Sequence, residues 1–141
     1  MKKIIIVLIV SAIAISLAAC GSNSGGAAST GKVIKSGPIG NLTVTLTNDT
    51  GKLKNGDQEF IVAFTDSAGK AVEVGSAAIN FQMPAMGSMS AMNEGATLTT
   101  TGTPGVYKGK VKIGMTGDWQ AQITFEGPAG NGKTAIPISI Q

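Results

Sequence analysis

The chain has 141 residues, and its 11 basic residues exceed its 8 acidic residues, which gives a formal net charge of +3. All the basic residues are lysines and they are scattered, so the composition gives no support for nucleic-acid binding. There is no histidine and a single cysteine, Cys20, which excludes an imidazole metal site and an internal disulfide.

Residues 1–19 predict a lipoprotein signal peptide. Lys2 and Lys3 precede an apolar run over 4–18, which is shorter than the about 20 residues of a membrane span. The run ends in Leu-Ala-Ala-Cys, which resembles the bacterial lipobox and implies cleavage before Cys20 and lipidation of that cysteine. The alternative is an uncleaved anchor with a chance cysteine. Cleavage would leave nine lysines against eight acidic residues, a formal charge of +1.

Residues 20–37 hold the candidate lipidated cysteine and a stretch rich in Gly, Ser and Ala, which predicts a flexible tether. Residues 38–141 are long enough for one domain with a single core. We therefore expect an extracytoplasmic domain that a lipid holds at a bacterial membrane.

Alternating apolar and polar residues predict short strands throughout this domain. The predicted strands cover 39–48, 59–66, 77–83, 107–115, 119–126 and 136–140, with a short strand at 71–74 and a strand or loop at 95–101. Turn residues separate them, no helical period is visible, and Pro137 places the last strand at a sheet edge. The pattern predicts an antiparallel β-sandwich of about seven strands.

One segment of the chain repeats methionine at every third position: Met83, Met86, Met89 and Met92. Pro84 and Gly87 disfavour a long helix, which leaves an irregular loop. Thioethers are soft ligands, and soft ligands select Cu(I). The segment therefore predicts a methionine site for a soft monovalent ion, with Met86, Met89 and Met92 as its accessible ligands.

The first methionine of this segment, and a fifth methionine outside it, continue the inward faces of strands. Met83 and Met115 are therefore expected in the core at the mouth of the sandwich, and they would be ligands only if the site lies there. Trp119 is either a core residue or a cation–π face over a bound ion. The alternatives are that the methionines are packing residues, an adaptable protein-binding surface or a target for oxidants.

The sequence contains no recognisable set of catalytic residues, so we expect none. Histidine is absent, the single cysteine is expected to carry lipid, and no spacing of Ser, Asp or Glu nominates a base, a nucleophile or an oxyanion pocket.

Three motifs in one order resemble the YtkA-like domain family over about residues 42–125: Phe81-x-Met83-Pro84-x-Met86-Gly87, Pro104-Gly105-x-Tyr107 and Met115-x-Gly117-x-Trp119. The resemblance implies a small immunoglobulin-like sandwich of bacterial cell envelopes. It also implies a link to copper or other heavy metals, since some members are fused to heavy-metal efflux adaptors. Relatives often carry histidine among these methionines, whereas this chain has Ser88 and Ser90, which leaves Cu(I) or Ag(I) as the expected ion.

The resemblance also implies partners. We expect the membrane, through the lipid anchor, and a metal-efflux or other envelope protein. The alternative is a non-enzymatic interaction or structural module of the envelope, in which the methionine segment is a contact surface.

Overall fold

The computed structural model describes residues 31–141, which form eight antiparallel strands. In chain order the strands are β1 (Lys32–Ile39), β2 (Leu42–Asn48), β3 (Gly56–Thr65), β4 (Ser76–Met83), β5 (Met92–Thr100), β6 (Val106–Ile113), β7 (Gly117–Gly127) and β8 (Gly130–Ile140). A search of residues 31–141 for a helix that could cross a membrane finds none. The predicted signal peptide, Cys20 and the tether up to residue 30 lie outside the described residues.

The strands pair in the order β1-β2-β3-β6-β5-β4-β7-β8. Strand β5 is shared between the two halves of this sheet: residues 92–96 pair with β4, and residues 97–100 pair with β6. The sheet folds over until β1 and β8 lie side by side, without a backbone ladder between them. The result is a sandwich that is nearly closed into a barrel, and the all-β prediction is confirmed.

Alternating side chains from both halves fill the interior, as the period of two in the strands requires. Phe60 meets Phe81 edge to face at a centroid distance of 5.8 Å, and Phe64 meets Phe125 at 5.7 Å. Each pair joins β3 to the opposite half of the sandwich. Such pairs contribute about 0.5–1.5 kcal/mol beyond the burial of their area.

The domain has eight strands where about seven were predicted, and two of the predicted boundaries differ from those in the structure. Most of β1 lies inside the predicted tether, because residues 32–37 pair with β2 from Lys32↔Asn48 onward. The sequence hides this strand because its burial pattern has no period of two. The strand predicted over 39–48 is β2 alone, since a turn separates Ile39 from Leu42.

The segment 71–74 does not form the predicted short strand. A single bridge joins Ala71 to Thr65, and the Val72 amide donates to the Phe64 carbonyl at 2.9 Å. The chain then leaves β3 to cross to the other half as β4, so no longer ladder can form. The edge position of Pro137 is confirmed, because β8 pairs as a strand with β7 alone.

Tyr107 ties the start of β6 to this crossing segment. Tyr107 is buried, and its single hydroxyl proton is shared between the Gly75 carbonyl at 2.8 Å and Glu73 Oε1 at 3.1 Å. Burial, and then the neighbouring Glu73 carboxylate, raise the pKa of Tyr107 to about 12.

We expect the ionisation of Tyr107 to destabilise the fold at high pH. A folded-state pKa of about 12 exceeds the ordinary value of about 10, so this contribution to stability is complete below pH 10 and is lost as pH rises towards 12. Over that window the free energy of unfolding should fall by up to about 1.4 kcal/mol per pH unit. Tyr107→Phe should flatten this fall and cost about 1 kcal/mol at neutral pH.

The chain has one tyrosine, so phenolate absorbance reports Tyr107 alone. An ordinary pKa in the folded protein, or an unchanged alkaline slope in Tyr107→Phe, would contradict this account. Urea titrations of both proteins across the alkaline range supply the free energies.

Candidate metal-binding hairpin

One end of the sandwich, which we call the methionine end, gathers the β4–β5 hairpin, the β6–β7 turn, the β2–β3 loop and the start of β1. The strand registers fix this grouping through four pairs at that end: Lys32↔Asn48, Gly56↔Ile113, Met83↔Met92 and Gly117↔Ile140. The opposite end carries the other three turns and the β3–β4 crossing.

The regular spacing of the methionines is the spacing of a hairpin. Met83 and Met92 form the last pair of the β4–β5 ladder, and Met86 and Met89 face each other beyond it. The amide of Met86 donates to the carbonyl of Met89 at 3.2 Å, and the amide of Met89 donates back at 2.9 Å. The irregular loop expected here is therefore a tight turn that pairs inner with inner and outer with outer methionine.

Gly87 makes this turn possible. It occupies the first central position with a φ of +58°, while Ser88 is not in the positive-φ region. That combination is the pattern of a two-residue type II′ hairpin turn, in which the first central residue is glycine. The chain therefore reverses within two residues and brings Met86 opposite Met89.

Met86 and Met89, which we call the tip pair, are the exposed methionines among residues 31–141, with 58% and 44% of their surface accessible. Directly opposed residues of an antiparallel pair share a face, with Cβ atoms about 4.5–5.5 Å apart. Two flexible thioethers starting from that separation can both reach one ion between them.

Met83 and Met92 lie at the base of the hairpin and face inward. Met83 is buried, and its Cε lies 2.7 Å from where a Cβ on Gly117 would stand; Met92 is half-buried, and its Cε lies 3.1 Å from the corresponding position on Gly114. Met92 thus differs from the expected accessible loop residue, because it starts β5 and its alternation directs it to the core.

Met115 and Trp119 complete this end. Met115 is half-buried in the β6–β7 turn, and its carbonyl accepts a hydrogen bond of 3.2 Å from Trp119 Nε1. Trp119 is 1% exposed and is a core residue. The structure therefore brings Met83, Met92 and Met115 around one turn and sets the tip pair beyond them.

The YtkA-like family matches residues 38–124 of this chain. The chain belongs to the YtkA-like family. Comparisons with curated proteins and with solved structures give no match. The matched span of this YtkA-like domain contains the whole hairpin, Met115 and Trp119, whereas most of β1 and all of β8 lie outside it.

One carboxylate at the methionine end of the YtkA-like domain was not predicted from the sequence to lie near the methionines. Glu94 pairs with Phe81 and is half-buried, and its Oε1 lies 3.6 Å from where a Cβ on Gly114 would stand, beside the Cε of Met92. Alternation from Met92 along β5 places it inward once β5 is known to begin at Met92. Residues 31–141 contain no group of three or more His, Cys, Asp or Glu side chains able to hold a metal ion.

Two of the three lysines of β6 are paired with a carboxylate on the sheet surface. Glu59 of β3 accepts from Lys110 at 2.7 Å and from Lys108 at 3.0 Å. Lys110 and then Lys108 hold the pKa of Glu59 below its ordinary value, and Glu59 raises the pKa of Lys110. Lys108, Lys110 and Lys112 all lie exposed on one face of β6.

Two open grooves of about 330 and 390 Å³ flank this ion-pair cluster, with mainly polar walls. The hydroxyl of Thr47, on the wall of the smaller groove, is buried without a hydrogen-bond partner among the described residues. Neither groove includes a methionine.

Proposed function

We propose that this YtkA-like protein is a lipid-anchored, extracytoplasmic, non-enzymatic domain that binds Cu(I) or Ag(I) through Met86 and Met89. Met92, Met83 and Met115 are the further candidate thioethers. The observation that carries the proposal is the tip pair itself: two exposed thioethers, directly opposed on a hydrogen-bonded turn. Soft neutral sulfur ligands favour Cu(I), and the chain has no imidazole to favour Cu(II).

The turn would lower the cost of forming such a site. Two backbone hydrogen bonds hold Met86 and Met89 opposite each other before any ion arrives. The ion then has to order only the side chains, each of which costs about 0.5–1.5 kcal/mol to immobilise. Thioethers do not titrate near neutral pH, so binding through them should be independent of pH in that range.

The remaining elements of the proposal rest on the sequence and on strand order. The lipobox-like tetrapeptide supports lipidation of Cys20 and cleavage after residue 19. The order β2-β3-β6-β5 in one half and β4-β7-β8 in the other supports an immunoglobulin-like assignment, because it follows the ABED and CFG arrangement of that fold. The family resemblance supports a metal-efflux protein at the membrane as the partner that exchanges the ion.

The test is an anaerobic Cu(I) competition titration of the full chain carrying Cys20→Ser. That change removes a free thiol that would itself bind Cu(I). We expect stoichiometric binding that is lost in Met86→Leu/Met89→Leu. Leucine retains most of the volume and apolarity of methionine, so each swap should cost less than about 1.5 kcal/mol of stability.

The matched control is Met83→Leu/Met92→Leu, which makes the same exchange at the base of the hairpin. Retained binding there, with loss in the tip variant, would assign the ion to Met86 and Met89. Loss in both would extend the site to the base. Equal binding in all three proteins, or none in any, would show that the methionines do not form a metal site.

A second candidate function has its own supporting observation. The exposed large apolar side chains among residues 31–141 are Val33, Met86 and Met89, so two of these three lie on one turn. Exposed methionines form adaptable contact surfaces for proteins. The alternative is therefore an interaction module of the envelope. It predicts that Met86→Leu/Met89→Leu still binds the partner protein, whereas Met86→Ser/Met89→Ser does not.

A further inference from the structure

The chain enters the domain at the methionine end. Lys32, the first residue of β1, pairs with Asn48 at the end of β2, where the β2–β3 loop begins. β2 runs towards this end and β4 runs towards it as well, finishing in the hairpin with Met86 and Met89. A lipid on Cys20 would therefore attach the domain to the membrane through the same end of the sandwich that exposes the tip pair.

Chain length limits which end can reach the lipid. Cys20 and Lys32 are 12 positions apart. A Gly/Ser-rich chain of that length has a root-mean-square span of about 20 Å and a limit of about 40 Å. β3, with 10 residues, is about 33 Å long. The methionine end is thus within the ordinary span, whereas contact by the opposite end requires nearly full extension.

We propose that the methionine end rests on the phospholipid surface, with Met86 and Met89 against the boundary between headgroups and acyl chains. The proposal rests on the lipidation of Cys20 proposed above, and it does not require a bound metal. Full burial of a methionine side chain stabilises by about 1.5–3 kcal/mol, so two partly buried ones are sufficient to orient a domain that is already tethered.

Charge does not select the lipid. The charged residues at this end balance four against four: Lys32, Lys52, Lys54 and Lys112 against Asp49, Asp57, Glu94 and Asp118. The orientation should therefore form on zwitterionic bilayers and should change little when anionic lipid or salt is added.

Two exposed serines in turns at opposite ends supply matched probes. Ser88 lies in the tip and Ser67 in the turn after β3. The full lipidated protein with Ser88→Cys or Ser67→Cys, labelled with one fluorophore, is placed in phosphatidylcholine vesicles that contain a nitroxide lipid. We expect quenching several-fold stronger at position 88 than at 67, in the presence or absence of phosphatidylglycerol. Adding Met86→Ser/Met89→Ser to Ser88→Cys should remove most of this difference.

Equal quenching at both positions in lipidated protein would overturn the orientation. A full difference that persists in Met86→Ser/Met89→Ser would overturn the apolar contact. Contact only with phosphatidylglycerol would assign the attraction to charge and reject the mechanism. Mass spectrometry of the same samples shows whether Cys20 carries lipid, and so distinguishes a missing anchor from a wrong orientation. A protein without lipid on Cys20 would also take up the fluorophore at that thiol. That result would reject both the lipoprotein proposal and the orientation.

Discussion

Gly105→Ala is expected to lower the free energy of unfolding by about 4 kcal/mol, from about 1–3 for backbone strain and a similar amount for steric overlap. Gly105 has a φ of +76°, and a Cβ on it would lie 2.2 Å from the carbonyl oxygen of Val72. Neither backbone can move freely, because the Phe64 amide donates to the Gly105 carbonyl and the Phe64 carbonyl accepts from Val72, each at 2.9 Å.

Gly69→Ala is the matched control for this substitution. Its φ of +80° is nearly the same, but nothing lies within 4 Å of its added Cβ. Gly69→Ala should therefore cost only the conformational strain, about 1–3 kcal/mol. Urea denaturation of both variants measures the difference. Equal losses would contradict the overlap with Val72.

Phe60→Ala is expected to cost about 3–5 kcal/mol, because it removes a buried ring from the centre of the sandwich. The ring is 2% exposed, packs edge to face on Phe81 and covers Gly109 of the neighbouring strand. A Cβ on Gly109 would lie 2.4 Å from two atoms of this ring. Gly109→Ala alone should therefore cost about 1–3 kcal/mol through overpacking.

The double variant decides whether the ring is the cause. In the Phe60→Ala background the obstacle is gone, so Gly109→Ala should be nearly neutral and the two losses should not add. The expected coupling is about 1–3 kcal/mol, measured by denaturant unfolding of the four proteins. Additive losses would show that Gly109 is intolerant for a reason other than contact with Phe60.

The strands that were predictable are those with one face in the core. In β3, β4, β6 and β7, a period of two marks the buried residues, as in Phe60, Val62 and Phe64. β1 was hidden because it buries few side chains, and its pairing with β2 depends on backbone hydrogen bonds that require no particular side chain. Sequence patterns report side-chain burial, so a strand held mainly by its backbone leaves little trace.

The candidate site was predictable in its residues but not in its geometry. Four methionines spaced by three would share a face of a helix, yet the same spacing around Gly87 and Ser88 makes two facing pairs. The choice depends on the conformation of Gly87, since a type II′ turn needs a positive φ at that one residue. Glu94 was missed for a related reason: its inward position follows only once β5 is known to begin at Met92.

The sharing of β5 between both halves has a consequence for cooperativity. Residues 92–96 complete one half and residues 97–100 complete the other, so the loss of β5 as a strand removes one ladder from each half at once. Native-state hydrogen exchange should therefore give similar opening free energies for β3 and β7, which lie in different halves. The hairpin with Met86 and Met89 leads directly into β5. The loss of β5 as a strand would thus also remove the strand that supports the methionine pair on its C-terminal side.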